Sequence, residues 1–420
     1  MHIEILTIGT ELLLGFTLDS NGAELGQALA AAGITVVRRT SVGDDPGVIR
    51  EAAQTALERT GAVIATGGLG PTADDVTKKV IAELFGMPLE YHPEIWEGLV
   101  ARFTRFGRVP SEKNRSQAEV PRGATVLANR WGTAPGLWLE GPPGLVILLP
   151  GVPSEMRGLL THEVLPRLGD RAGGRVVRSR TLRTTAIPES TLAERLGAIE
   201  PELAPLTLAY LPGIAGVDLR LTAWDLPPEE SEQRLDAGML LLTERAGAWA
   251  YGEGEADLAA RILARARSMG MHLVTAESCT GGGIGARLTA IPGSSDVVFG
   301  GIIAYDDRIK MEELGVPAAV LEAHGAVSEQ VASAMALGVA KRLRAELSIA
   351  VTGIAGPGGG SEAKPVGLVY IATAVHDEVR CHRHLFPGDR AEVRARAGQI
   401  ALFRLLQHLD GSGSAAAPPM

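Results

Sequence analysis

The sequence predicts an α/β protein in which N-terminal and C-terminal domains, each on a parallel or mixed sheet, are joined by a small α+β middle domain. Three observations carry this. Apolar strand runs alternate with helical periods at both ends of the chain, the pattern of a sheet covered by helices on both faces. The 420 residues exceed what one ordinary core of roughly 100–200 residues holds. Between the two alternating regions, residues 171–253 switch to strands and helices that do not repeat that unit.

The apolar run 3–8 reads as a buried strand, and residues 21–32 place Leu25, Ala28, Leu29 and Ala32 at helical spacing. A strand over 35–37, a helix over 46–58, a strand over 62–66 and a helix over 74–84 extend the alternation. A further helix over 93–106 precedes a Gly/Pro-rich passage and the apolar strand 145–149, which Pro150 and Gly151 end. Loss of any apolar period around 169–174 closes a first domain of residues 1–170. The middle domain reads as a strand over 176–185, a helix over 190–198, two strands within 206–224 and a helix over 228–246. Alternation resumes with a helix over 258–269, a strand over 272–275, a helix over 282–288 and an apolar run over 297–304. A helix over 328–343, strands over 347–351 and 367–374 and a helix over 390–409 complete a domain of residues 254–410. The tail 411–420, made of Gly, Ser, Ala, Pro and Met, is expected to be disordered.

Composition narrows the function. Apolar residues are 45% of the chain and charged residues 21%, a globular balance. The net charge of −9 argues against a generic polyanion binder, because nucleic-acid binding rests on Lys and Arg neutralising phosphates, so no direct nucleic-acid partner is expected. No run approaches the ~18 apolar residues that span a bilayer, and no basic leader is present, so a cytoplasmic protein without a membrane partner is expected. Two cysteines, Cys279 and Cys381, are too few for a disulfide framework and lack zinc-site spacing.

Two N-terminal loops follow strand runs, where open parallel sheets bind ligands. The first is Gly9-Thr10-Glu11-Leu12-Leu13-Leu14-Gly15, with Asp19 and Asn21 leading into a helix; the second is Gly67-Gly68-Leu69-Gly70-Pro71-Thr72, followed by Asp74 and Asp75. Glycines and a helix start suit an anion, which makes Glu11, Asn21, Gly67, Gly68, Gly70 and Thr72 a candidate nucleotide or phosphate site. Carboxylates beside it repel a bare phosphate unless a divalent cation such as Mg²⁺ bridges them, and Asp74, Asp75 and Glu155 are the candidate metal ligands. The other reading of Asp74 and Asp75 is helix capping.

In the C-terminal domain the strand 272–275 delivers Glu277-Ser278-Cys279-Thr280-Gly281-Gly282-Gly283, so Ser278 enters a glycine-rich turn before a helix. Such a turn presents a hydroxyl as a nucleophile, with Gly281 and Gly282 shaping backbone donors for an oxyanion. Thr280 as a helix cap is the structural alternative. No His stands nearby, and Lys310, one strand further on with Tyr305, is the candidate base of a Ser/Lys pair. Thr352 and Gly353 open a third glycine loop, and Arg390 and Arg394, four apart on a helix, offer guanidinium forks for a phosphate. Cys279 is the rival nucleophile, with a buried structural thiol as its alternative.

These residues carry a resemblance. Gly9-Thr10-Glu11-Leu12-Leu13, Gly67-Gly68-Leu69-Gly70-Pro71-Thr72 with Asp74-Asp75, Asn129 with Gly132-Thr133-Ala134-Pro135-Gly136, and Leu149-Pro150-Gly151-Val152-Pro153 with Glu155-Met156 resemble the N-terminal domain of the CinA (competence/damage-inducible) family, itself similar to molybdopterin-binding domains. Glu277 to Gly282, Tyr305, Lys310, His324 to Ser328, Thr352 to Pro357 and Gly388-Asp389-Arg390 resemble its C-terminal domain. The resemblance implies deamidation of nicotinamide mononucleotide in the C-terminal domain, without a cofactor, and metal-dependent pyrophosphate cleavage of ADP-ribose in the N-terminal one. By position it assigns Ser278, Tyr305, Lys310, Thr352 and Arg390 to the deamidase pattern, and Glu11 with the 67–75 loop to the pyrophosphatase region. Two departures stand out: Ser20 replaces the usual Thr, and Asp307 replaces the usual Asn, adding a carboxylate near Lys310. A non-catalytic binding protein associated with competence or recombination is the alternative function, and molybdopterin or adenylyl chemistry in the N-terminal domain a third. A homodimer paired through the middle module is expected.

Overall fold

The computed structural model describes residues 1–169 and 174–411. The expected break between the first two domains and the expected disorder of 412–420 lie outside them. Backbone contacts divide the chain into two units, one of residues 1–178 with 223–234, the other of 179–222 with 235–420. The middle module therefore groups largely with the C-terminal domain: its Ala186 and Tyr251 enter the same apolar cluster as Leu258, Ile262 and Phe403.

In the first unit, six strands are ordered Thr35–Val42, His2–Ile8, Ala62–Thr66, Gly144–Leu149, Gly136–Gly141, Thr125–Leu127. The first four run parallel, Gly136–Gly141 pairs antiparallel with Gly144–Leu149, and Thr125–Leu127 pairs antiparallel with Gly136–Gly141, giving a mixed sheet. Alternate residues of each strand feed two different cores. Ile3, Ile5, Ile64, Ile147 and Leu149 pack with Leu25, Leu29 and Met156 on one face, while Leu6, Ile8, Val63, Val146 and Leu148 pack with Ile49, Ala53 and Ile81 on the other. The two antiparallel strands fall in the passage that the sequence reads as Gly/Pro-rich loop. The helix expected from residue 74 begins later, as Thr77–Leu84, because the preceding residues form a separate turn.

The middle module carries a four-stranded sheet ordered Thr207–Pro212, Val217–Leu226, Val176–Thr184, Ala250–Glu253, and the second unit a five-stranded sheet ordered Val298–Ile303, Leu273–Glu277, Leu347–Gly353, Leu368–Val375, Glu378–Leu385. Three strands of the latter are parallel, Leu368–Val375 pairs antiparallel with Leu347–Gly353, and Glu378–Leu385 pairs antiparallel with Leu368–Val375. Leu347, Ile349, Val351 and Ile371 face the helices Leu258–Met269 and Arg390–Leu409, whereas Val274, Ala276, Ala350 and Ala372 face Glu329–Leu343. The edge strand Glu378–Leu385 has no counterpart in the sequence reading. No helix among the described residues is long and apolar enough to cross a membrane.

Candidate functional site

The C-terminal strand Leu273–Glu277 runs two residues beyond its expected end, so Ser278 follows it directly and its N–H donates to Val351 O at 2.9 Å. Ser278 is largely buried. Gly281 and Gly282 turn the chain with φ of 61° and 88°, which strain any residue with a Cβ. Glu277, fully buried, accepts the N–H groups of Ile284 and Gly285 at 3.0 and 2.8 Å. Sequence reasoning passed over this carboxylate, although it immediately precedes the serine. It occupies the positive end of the helix Gly283–Thr289, so an oxyanion must use the turn itself, where the N–H groups of Thr280 and Gly282 have no backbone acceptor among the described residues. Thr280 is not the cap: its buried Oγ1 has no partner.

Several side chains converge on this turn. Arg394 Nη2 donates to Thr280 O at 2.9 Å. Arg390 Nη1 donates to Gly356 O at 2.8 Å, and its Nη2 to the Tyr305 hydroxyl at 2.9 Å. Asp389 opens that helix with a reciprocal cap, accepting Glu392 N–H while Glu392 accepts the Asp389 N–H. Arg390 is thereby held between the loops that follow the strands Val298–Ile303 and Leu347–Gly353.

Other predicted residues have local duties. The Thr352 hydroxyl, buried, donates to Ala326 O at 2.8 Å and ties the 324–328 loop to the sheet. Gly353 lies against Leu368 and Val369, where a Cβ has no room. Lys310 is 1% exposed, and its Nζ donates to Tyr305 O at 3.2 Å and to Asp307 Oδ1 at 3.0 Å. The expected carboxylate is thus in direct contact with the expected base, and neither of those bonds reaches Ser278. Cys279 is buried, and burial pushes its thiol up to about 11, which keeps it protonated at neutral pH.

The N-terminal residues separate into two groups. Glu11 and Asn21 line a cleft of about 100 Å³ together with Thr7, Asp19, Ser20, Thr66 and Gly151. Gly67, Gly68, Gly70 and Thr72 do not line it. A Cβ on Gly67 would meet the Ile8 carbonyl and one on Gly68 the Thr77 side chain, and Asp75 presses on Gly70, so these glycines serve close packing.

The expected metal ligands do not stand together. Among the described residues no three His, Cys, Asp or Glu stand where they could hold a metal ion, so Asp74, Asp75 and Glu155 do not form one donor set. The reason is local satisfaction. Asp75 Oδ2 accepts the Thr72 N–H and hydroxyl at 2.8 and 2.5 Å, and Glu155 Oε2 accepts Asn129 Nδ2 at 2.5 Å. Burial, the larger influence, raises the Glu155 pKa against that hydrogen bond. Capping fails as well, because the cap position before Thr77–Leu84 is Val76. Asp74 is exposed, its carboxyl held below the usual range by the Thr72 side chain.

Family models match along the chain: "Probable molybdopterin binding domain" over residues 4–170, "Damage-inducible protein CinA KH domain" over 179–252 and "CinA C-terminal domain" over 255–409. A CinA-like protein of Gemmatimonas aurantiaca is 54% identical over 409 residues, covering 96% of either chain. The chain belongs to the CinA family. A CinA-like protein of Prochlorococcus marinus is 46% identical over 374 residues, 89% of this chain and 87% of its own. The crystal structure of competence/damage inducible protein CihA from Agrobacterium tumefaciens is 45% identical, with a TM-score of 0.35, over 36% of this chain and 93% of its own. In this CinA chain Gly213-Ile214-Ala215-Gly216 joins the strands Thr207–Pro212 and Val217–Leu226 as a tight turn, Gly213 N–H donating to Gly216 O at 2.8 Å and Gly216 N–H to Gly213 O at 3.3 Å.

Proposed function

We propose that the C-terminal domain hydrolyses the carboxamide of nicotinamide mononucleotide to nicotinate mononucleotide and ammonia, within pyridine-nucleotide metabolism in the cytoplasm. The observation that carries this reading is the serine turn flanked by two arginines, Arg394 on Thr280 O and Arg390 on Tyr305 and Gly356. Arginine forks suit the phosphate of a mononucleotide, and the turn suits acyl chemistry. Ser278 Oγ attacks the carboxamide carbon, its proton passing to Lys310 Nζ in the amine form. The tetrahedral oxyanion rests on the turn's N–H groups. Lys310 returns the proton to the leaving nitrogen, which departs as ammonia, and water then cleaves the ester to free Ser278 and the carboxylate product. No cofactor enters. Lys310 must leave Asp307 to act as this base, by side-chain rotation or through a bridging water.

For the N-terminal domain the proposal is pyrophosphate cleavage of ADP-ribose. Its three candidate carboxylates do not fit a metal cage, so any divalent ion comes with the substrate's phosphates, as Mg²⁺ commonly does. The net charge of −9 supports a protein without direct nucleic-acid contact. We also infer a homodimer through the middle module, which a monomer mass in light scattering at micromolar concentration would remove. Ammonia release from nicotinamide mononucleotide by the full chain tests the main reading. Saturable, stoichiometric release is expected; its absence would favour a non-catalytic partner in competence or recombination.

A further inference from the structure

The outer edge of the C-terminal sheet carries a group of basic side chains that the serine turn does not use. Arg380, His382 and His384 alternate along the edge strand Glu378–Leu385, paired with Thr373, Ile371 and Val369, and so share the face covered by the helix Arg390–Leu409. That helix adds Arg404 and His408. The carboxylate of the group, Glu378, is already engaged: Arg380 Nε donates to it at 2.9 Å, and His408 Nε2 lies 3.5 Å away.

Arg404 pairs with no carboxylate among the described residues. It is 8% exposed, and its Nη1 donates at 2.9 Å to a neutral amide, Gln407 Oε1. Its Nε is buried and unbonded, as are Arg380 Nη1 and His384 Nε2, and His384 is itself 7% exposed. Burial lowers the Arg404 pKa, but a guanidinium stays charged at neutral pH. Burial first, and then the Arg404 charge, pushes His384 down to about 3 and His382 to about 4, so both imidazoles are neutral there. A buried charge without a counter-charge is strongly destabilising. Water can satisfy a hydrogen bond in such a place but not the charge; an anion does both.

We propose that this group binds a phosphate-class dianion, free or at the end of a small ester, between the edge strand and the helix, held by Arg404, Arg380 and His384. Guanidinium forks suit tetrahedral oxygens, and a neutral imidazole protonated on Nε2 donates to a third. The depth of Arg404 and His384 favours a small ion over a partner's carboxylate, which would have to enter with its backbone. The site is separate from the serine turn: Glu378–Leu385 lies three strands from Leu273–Glu277, roughly 14 Å at ordinary strand spacing. One helix joins the two, with Arg390 and Arg394 in its first turns and Arg404 and His408 in its last.

Thermal unfolding of the full chain, followed by calorimetry at neutral pH and constant ionic strength, tests this with inorganic phosphate and ribose 5-phosphate as probes. Because Arg390 is also placed to hold a phosphate, the reference is the Arg390→Ala chain. In it, about 10 mM probe is expected to raise the unfolding temperature by roughly 2–4 °C, inorganic phosphate marking a free ion and ribose 5-phosphate an ester. Adding Arg404→Met, which keeps the length and removes the charge, is expected to abolish that rise. Without probe it should leave the unfolding temperature equal or higher, because an uncompensated buried charge is gone. His384→Phe, which keeps a ring against Phe386, is expected to cut the rise by about half. No rise with either probe in the reference chain, a rise that survives Arg404→Met or is unchanged by His384→Phe, or an Arg404→Met chain that unfolds earlier without probe would overturn the proposal.

Discussion

The two α/β domains present polar side chains at the carboxyl ends of their strands, but they use them differently. In the C-terminal domain the bonds run between elements far apart in sequence: Arg390 to Tyr305, Arg394 to Thr280, Thr352 to Ala326. In the N-terminal domain several candidate groups are absorbed close to home, Asp75 by Thr72 and Asp19 by Gly22, while Glu155 is taken by Asn129. A carboxylate after a strand is thus a ligand only if its own turn leaves it something to give. The C-terminal turn leaves a hydroxyl and amides; the N-terminal cleft leaves the Asn21 amide oxygen and the exposed Glu11 carboxylate.

That contrast can be broken or sharpened by substitution. The largest effect is expected from Lys310→Ala, with ammonia release falling about a thousandfold or more in single-turnover assays, since a serine without its base reacts as slowly as no serine. ADP-ribose cleavage in the same variant should stay at the parent's rate; loss of both activities would show that the domains do not act separately. Arg390→Lys comes next. It removes a two-pronged contact to Gly356 and Tyr305, and the KM for the mononucleotide is expected to rise about ten- to a hundredfold with a smaller change in kcat. A change confined to kcat would place Arg390 at the reacting amide rather than at the phosphate.

Asp307→Asn should act in the opposite direction. The carboxylate 3.0 Å from Lys310 Nζ engages the side chain that must reach Ser278. Removing it should free Lys310 to reach Ser278 and increase kcat/KM at pH 7 several-fold; an unchanged or lower rate would show that Asp307 does not restrain the base. The smallest effect is expected for Cys279→Ala. With the thiol near 11, alkylating reagents should leave the parent active at pH 7, and the variant should retain its activity within about twofold, because a protonated thiol is a poor nucleophile.

Much of the scaffold was legible because burial leaves a period. Ile3, Ile5, Leu6 and Ile8 announce a strand covered on both faces, and the glycines after Ser278, at the end of such a strand, announce a turn. Gly136–Gly141 was hidden by the glycines and prolines at its ends, and Glu378–Leu385 by its His and Arg residues, which an edge strand tolerates where a central one does not. The site was legible residue by residue but not as a network. Tyr305 and Arg390 stand 85 positions apart, and nothing in the spacing foretells their bond. Nor does sequence show that Asp75 and Glu155 have partners already, since such partners are supplied by loop geometry. Glu277 was in plain view, and only the helix amides it accepts reveal its duty.

The central claim is that Ser278, not Cys279, attacks the carboxamide, and comparing ammonia release from nicotinamide mononucleotide by the parent, Ser278→Ala and Cys279→Ala tests it most directly. The account predicts turnover lost by about a thousandfold or more in Ser278→Ala, near-parental turnover in Cys279→Ala, and ADP-ribose cleavage unchanged in both. Substantial ammonia release from Ser278→Ala, or its loss in Cys279→Ala alone, would contradict it.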